Sequence, residues 1–181
     1  YHTREEVLAL FIEDPLVALP GEKVSYSSFG YTLASCVMEA ACGSGFTKLI
    51  AEQVARPFGL ASLVPDDVLA IVPDRARGYH SAREQELVAA KAPDAGRPTI
   101  DGEFANVLLS NPAFCWAGAG LLMSAPDMAR FGAALLDGPR AKIGAEERAL
   151  LFTPMTEATA HSPPLGLGCR VDEDPQGRLR W

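Results

Sequence analysis

The residues best equipped for chemistry sit in one run, Pro20-Gly21-Glu22-Lys23-Val24-Ser25-Tyr26-Ser27-Ser28-Phe29-Gly30-Tyr31. It reads as a turn, a short extended step from Val24 to Tyr26, and a Tyr-Ser-Ser tripeptide entering a helix. Hydroxyl and phenol side chains are candidates for nucleophilic and proton-transfer chemistry. A serine hydroxyl is a weak nucleophile and must lose its proton to a neighbouring base. A phenol, with a reference pKa of about 10, works beside a lysine ammonium that favours the phenolate, or as a relay donor to the leaving group. The plainer reading of Tyr26 is a tyrosine packed at a strand–helix junction with its hydroxyl bonded to backbone. Ser28 reads equally as a helix N-cap, a role that can coexist with a chemical one. Ser27 reads as filler at the turn. A second segment, Trp116-Ala117-Gly118-Ala119-Gly120, places small residues where a backbone must approach something closely. Glycines that let a helix pack on a loop explain it as well.

The elements around these residues follow from periodicity and capping signals. Thr3 with Glu6 reads as a capping box opening a helix whose apolar residues are Val7, Leu8, Leu10, Phe11 and Ile12, ended by Asp14-Pro15. A second helix runs from about Ser28 to Ala41, with Phe29, Leu33, Val37 and Met38 at core spacing and Gly43 as its stop. Phe29 and Tyr31 are expected in the core. Ser44 is expected to cap a third helix with Phe46, Leu49, Ile50 and Val54 as its stripe, closed by Pro57-Phe58-Gly59-Leu60. Between Pro65 and Asn111 the pattern loosens, and strands near Ala76–His80 and Glu86–Ala90 suggest a hairpin. Ser124 then caps a helix from about Ala125 to Leu136, with Asp127 as a first-turn charge and Gly138 at its end. Glu146 to Phe152 forms a short helix stopped by Pro154. Leu165 to Val171 and Arg178 to Trp181 read as strands joined by a turn at Asp172–Gly177.

Composition narrows the classes. The chain has 181 residues, 48% hydrophobic and 22% charged, which is ordinary for a globular domain. A net charge of -7 and the absence of any basic block argue against a nucleic-acid partner, including a helix-turn-helix reading of helices two and three. No apolar run reaches membrane-spanning length. The four cysteines, Cys36, Cys42, Cys115 and Cys169, form no Cys-x-x-Cys pair, and the histidines His2, His80 and His161 lie far apart. No metal site or cofactor is expected, and the cysteines are expected to be buried free thiols. Cys42-Gly43-Ser44-Gly45-Phe46 lacks the first glycine of Gly-x-Ser-x-Gly, which removes an α/β-hydrolase.

Several segments, taken in order, resemble the serine β-lactamase and penicillin-binding protein superfamily, in its class C and esterase branch. Tyr26-Ser27-Ser28 is similar to its Tyr-x-Asn motif, Pro57-Phe58-Gly59-Leu60 to its Pro-Leu-Gly-Met helix terminus, and Arg77-Gly78-Tyr79 to its Ala-x-Gly-Tyr strand. Trp116-Ala117-Gly118-Ala119-Gly120-Leu121 through Ser124-Ala125-Pro126-Asp127-Met128-Ala129-Arg130-Phe131 resembles its Ala-Gly-Gly-Leu-x-Ser-Thr-x-x-Asp-Leu-Ala-Arg-Phe stretch. Tyr-Ser-Ser-Phe-Gly-Tyr and Trp-Ala-Gly are most similar to the mitochondrial β-lactamase-like proteins and their bacterial relatives. The resemblance implies an α+β fold: a predominantly helical subdomain with a few short antiparallel strands and an incomplete sheet, all in one domain over residues 1–181.

The resemblance also implies roles. Tyr26 is the base or proton relay, and Ser28 stands at the motif asparagine. Trp116, Gly118 and Ala119 border the acyl pocket, with alanine at position 119 leaving it wider. A hydroxyl is shorter than an amide and offers one donor, so Ser28 at this position favours ester or peptide substrates over β-lactams. The sequence contains no Ser-x-x-Lys and no Lys-Thr-Gly or His-x-Gly triplet. It is therefore expected to be the central part of a longer serine hydrolase with a small-molecule or peptide acyl substrate, inactive in isolation. The resemblance favours a periplasmic or secreted location. The alternative is a non-catalytic helical module that keeps the scaffold and binds a partner or peptide.

Overall fold

The structure, a computed structural model, describes residues 4–22, 24–81, 83–84, 86, 99–100, 104–107, 111–112, 115–136, 142–156, 164–176 and 179–180. In chain order the helices whose bounds are described are α1 (Arg4–Leu8), α2 (Ser28–Cys42), α3 (Phe46–Ile50), α4 (Arg56–Phe58), α5 (Trp116–Ala119), α6 (Ala125–Leu135) and α7 (Ala145–Phe152). The strands are β1 (Val64–Pro65), β2 (Tyr79–Ser81), β3 (Thr99–Ile100), β4 (Phe104–Asn106), β5 (Leu121–Leu122), β6 (Asp172–Glu173) and β7 (Leu179–Arg180). All strand pairs are antiparallel. The expected mix of helices with a few short antiparallel strands is what the chain forms. It divides into two compact units, one comprising Tyr1–Asp66 with Pro112–Trp181, the other Asp67–Asn111.

In the first unit, α2 begins at Ser28 and ends where Gly43 takes a left-handed conformation, as the sequence indicates. Its buried residues differ from expectation. Thr32 and Ser35 are buried, whereas Phe29, Tyr31, Leu33, Val37 and Met38 are exposed. α5 comes close to the start of α2, where Gly118 meets Ser28, and both buried hydroxyls turn back on their own helix. Thr32 Oγ1 donates to the Ser28 carbonyl at 3.4 Å, and Ser35 Oγ to the Thr32 carbonyl at 2.7 Å. A buried hydroxyl satisfied in this way costs little, so apolar spacing did not decide which face went inside. Phe11 covers part of Phe29, with ring centroids 5.4 Å apart.

Helix α1 is shorter than its apolar pattern. It stops at Leu8, the chain continues in turns to Asp14, and Leu10 and Ile12 are exposed while Val7 is fully buried. The Thr3 capping signal lies outside the described residues. The cap of α3 is Gly45, not Ser44, and Glu39 of α2 reaches across so that its Oε1 accepts from the Phe46 N–H at 2.6 Å. Phe46 and Leu49 are buried as expected. Beyond Ile50 the helix widens into a π-helical stretch, Ala51–Ala55, which the sequence did not announce. It closes in a Schellman terminus: the Gly59 N–H bonds the Arg56 carbonyl at 3.2 Å and the Leu60 N–H the Ala55 carbonyl at 2.8 Å. Gly59 supplies the left-handed residue (φ 68°) and Leu60 plugs the core.

The C-terminal hairpin is shifted from its expected place. Leu165 and Arg170 form an isolated bridge around a tight turn in which the Gly166 N–H bonds the Cys169 carbonyl at 2.8 Å. The ladder itself pairs Asp172 with Arg180 and Glu173 with Leu179. Gly166 and Gly168 carry the turn chemistry that the strand reading overlooked. Residues 178 and 181, and Gly138, lie outside the described residues. All four cysteines are free, but Cys42 is exposed and the other three are half-buried, so none is the buried thiol expected.

In the second unit β4 lies between β2 and β3, with Tyr79 opposite Asn106 and His80 opposite Ala105. The expected partner of the first strand, Glu86–Ala90, is not it: residue 86 is helical, and 87–90 lie outside the described residues. The reason is legible afterwards. Ser81 and Glu84 form a reciprocal box in which Glu84 Oε2 accepts from Ser81 N and Oγ at 2.8 Å, and the Glu84 N–H bonds Ser81 Oγ at 3.4 Å. That box starts a helix where a strand had been read. These bonds, with His80 adding a smaller effect, hold the Glu84 carboxyl below its ordinary value.

Leu60 is 2% exposed and seals the terminus of the third helix. Replacing it with alanine should cost about 2–5 kcal/mol, the usual range for a fully buried leucine. Urea unfolding followed by circular dichroism checks this, and a loss under about 1 kcal/mol would show that the helix terminus collapses to fill the void.

Candidate active site

The tripeptide Tyr26-Ser27-Ser28 divides its work between its serines. Ser27 is the cap: it is extended (φ -148°, ψ 133°), and its Oγ accepts from the Phe29 N–H at 3.2 Å. Ser28, expected as the cap, is instead the first helical residue, with an exposed side chain. Its hydroxyl is thereby released from capping. Tyr26 is 78% exposed, its nearest aromatic neighbour is Tyr31 at 6.3 Å between centroids, and its hydroxyl bonds no described residue.

The Trp116–Gly120 segment is built by close approach. Gly118 lies under the start of α2, where an added Cβ would meet the Ser28 carbonyl oxygen at 3.3 Å and Ser28 Cβ at 3.8 Å. At Gly120 a Cβ would lie 2.7 Å from both Trp116 Cα and ring atom Cε3. No side chain fits there. The start of the short helix is fixed by the Gly118 N–H to the Cys115 carbonyl at 2.8 Å and by the Cys115 N–H to the Pro112 carbonyl at 2.8 Å. Trp116 and Gly118 are half-buried and Ala119 is exposed. Partial burial pushes the Cys115 thiol up from its ordinary value, which keeps it a thiol. The structure thus brings Ser28 to Gly118, and sets Tyr26 beside Tyr31.

Sequence reasoning missed what supports this segment. Immediately after it, β5 pairs with β1, Leu122 opposite Val64 and Leu121 opposite Pro65, and the Asp66 N–H bonds the Gly120 carbonyl at 2.8 Å. Two residues before β1, Ser62 is held by Asp127, whose Oδ2 accepts from Ser62 N at 2.8 Å and Ser62 Oγ at 2.7 Å. Asp127 is buried and also paired with Arg130, whose Nη1 donates to the Gly59 carbonyl at 2.9 Å. The bonds from Ser62 N–H, then Ser62 hydroxyl, and the nearby Arg130 guanidinium hold the Asp127 carboxyl below its ordinary value. Ser124 and Asp127 were visible as cap and first-turn acid, but nothing in the sequence links them to a serine more than sixty residues away. Among the described residues no group of histidine, cysteine and carboxylate side chains could hold a metal ion, and no helix is long and apolar enough to cross a membrane.

The family model described as Beta-lactamase matches residues 1–179. The chain belongs to this beta-lactamase family. The mitochondrial serine beta-lactamase-like protein LACTB of Homo sapiens is 29% identical over 133 residues, which is 74% of this chain and 21% of that protein. The Mus musculus protein matches to the same extent. The chain therefore spans about a fifth of the length of these relatives. A penicillin-binding protein from Bacillus halodurans superposes with a TM-score of 0.75 at 20% identity, covering 98% of this chain and 48% of that one. A D-stereospecific amidohydrolase from Streptomyces sp. gives 0.72 at 19%, covering 98% and 47%. These likenesses show the fold: part of the beta-lactamase and penicillin-binding protein architecture.

Two outcomes follow. Gly120→Ala should destabilise the chain by about 1–3 kcal/mol through overpacking against Trp116, read as a lowered urea midpoint; an unchanged midpoint would mean that the segment relaxes freely. Asp127 sets an acid limb. Its folded value lies below its ordinary one near 3.8, so the stability it confers is fully present above that value. It is lost as pH falls through the folded value. Melting temperatures from about pH 6 down to pH 2 should fall less steeply for Asp127→Asn than for the parent chain, and parallel curves would remove the carboxylate from this role.

Proposed function

We propose that the polypeptide to which this chain belongs is a serine hydrolase working through an acyl-enzyme. In this reading Tyr26 is the proton relay, Ser28 stands in for the motif asparagine, and Trp116, Gly118 and Ala119 border the acyl pocket. The observation that carries it is the release of Ser28 from capping, because Ser27 does that work, while Ser28 sits against Gly118 and follows an exposed phenol. A residue needed only to start a helix would not be doubled in this way.

The nucleophilic serine and its lysine are supplied by sequence beyond these 181 residues. The serine oxygen attacks the substrate carbonyl, its proton passes toward the lysine and phenol, and the carbonyl–leaving-group bond breaks as the relay returns a proton to the leaving group. Water then cleaves the acyl ester, and the same groups move the proton in reverse. The Ser28 hydroxyl gives the substrate carbonyl or its flanking amide one hydrogen bond. A single short donor and a wide pocket at Ala119 favour small esters or peptides over β-lactams. Exposure of Leu33, Val37 and Met38 on α2 supports the same view, since a face this apolar calls for cover from further polypeptide.

A second reading takes that α2 face as the functional surface of a non-catalytic module that binds a partner or peptide. The two part company in one experiment. The isolated chain should give neither turnover of a chromogenic ester nor a covalent adduct with a fluorescent penicillin. The polypeptide with its flanking sequence should hydrolyse the ester, and Tyr26→Phe should cut that rate about a hundredfold or more with little change in melting temperature. Full activity in Tyr26→Phe with a lowered melting temperature would make this residue packing. An inactive complete polypeptide would favour the binding module.

A further inference from the structure

The capping box at the start of α6 does not close on itself. With Ser124 as N-cap, Asp127 is the third helical residue, and such an acid ordinarily reaches back to the N-cap's own N–H. Here the Ser62 hydroxyl is inserted between them. The Ser124 N–H bonds Ser62 Oγ at 3.0 Å, and Ser62 Oγ lies 2.7 Å from Asp127 Oδ2 and 2.8 Å from Ser124 Oγ. A carboxylate only accepts, so the Ser62 proton goes to Asp127, and Ser124 donates its own to Ser62. Ser124 Oγ in turn accepts the Asp127 N–H at 3.4 Å. The Ser62 N–H at 2.8 Å completes a two-point hold on one residue of the chain leading into β1.

We infer that Asp127 is a positioning residue for the acyl pocket: by gripping Ser62 it fixes β1, which fixes β5, and so sets the Trp116–Gly120 segment against Ser28. The chain of contacts is short and continuous. Ser62 lies two residues before Val64, which faces Leu122; Asp66 binds the Gly120 carbonyl; and Gly118 touches Ser28. The β1–β5 ladder is only two residues long, too short to hold its own register. The carboxylate supplies what the ladder lacks. This inference rests on the reading of Trp116–Ala119 as the pocket border, but the grip on the segment has a readout that needs no catalysis.

That readout is Trp116. The sequence has two tryptophans, so Trp181→Phe leaves Trp116 as the only tryptophan, which can be excited selectively over the four tyrosines. In that background Asp127→Ala should shift native-state emission to the red and make Trp116 more accessible to acrylamide, with cooperative unfolding retained. Asp127→Asn keeps an oxygen acceptor for Ser62 and should restore most of the parent signal. Ser62→Ala, which removes the hydroxyl but keeps the backbone N–H, should fall between and serves if Asp127→Ala does not fold. A mere helix-end charge predicts the reverse pattern: both Asp127 variants melt lower and neither changes Trp116, and that result overturns the inference. In the polypeptide with its flanking sequence, Asp127→Ala should lower kcat/KM on the order of a hundredfold, mostly in kcat, with Asp127→Asn restoring most of it. If that polypeptide hydrolyses nothing, the Trp116 signal still decides the positioning role, and the hydrolase reading alone fails. Loss of activity with an unchanged Trp116 signal counts against positioning.

Discussion

The buried carboxylate of Asp127 is the constraint through which the parts of the first unit come into register. It joins the start of α6, the chain entering β1 and, through Arg130, the Gly59 carbonyl at the end of α4. A buried anion is costly unless its lone pairs are filled, and this one accepts from a backbone N–H, a hydroxyl and a guanidinium. Satisfaction requires all three donors at once. Phe58 on Phe131, with ring centroids 5.4 Å apart, adds apolar contact between the same two helices. Directional bonds thus choose the arrangement, and apolar contact thickens it.

The second organising feature is how closely α2 and α5 approach. Gly118 lets α5 approach the start of α2 at Ser28, while Thr32 and Ser35 are buried with their hydroxyls bonded to their own helix. Close approach places Ser28 beside the segment proposed to border substrate. The cost is that Leu33 and Val37 face away from that contact, exposed. A helix can have one face chosen by proximity to a site and another by apolar cover, and only the second is written in hydrophobic periodicity.

That distinction explains what the sequence revealed. Some helix ends were legible because they rest on local chemistry, although the end of α1 and the caps of α2 and α3 fall elsewhere than expected. Gly43, Gly59 and Ser124 act where their types indicate. The family was legible because its motifs run in order through the chain. The face of α2 was not, because back-bonded hydroxyls make polar residues cheap to bury. The helical turn at Ser81–Glu84 was encoded locally, as a capping box, but the apolar residues after it suggested a strand. The Ser62–Asp127 bond was beyond reach for a different reason. Its partners are distant in sequence, and a serine that bonds a far carboxylate looks like any other serine.

Tyr26 shows how geometry changes the weight of a motif without assigning it. A tyrosine that packs a strand–helix junction would bury its ring and bond its hydroxyl, since an unpaired buried hydroxyl costs about 1–3 kcal/mol. Tyr26 does neither: its ring is largely in solvent and its hydroxyl bonds no described residue. The packing role expected of an ordinary tyrosine is thus unfilled here. The adjoining backbone is nonetheless well fixed, by the Ser27 cap and by the seat of Ser28 on Gly118. A phenol held at its root, whose hydroxyl bonds no described residue, serves little purpose in stabilising these elements. It is suited to meeting a group brought by other polypeptide, which is what a proton relay between a serine, a lysine and a substrate requires.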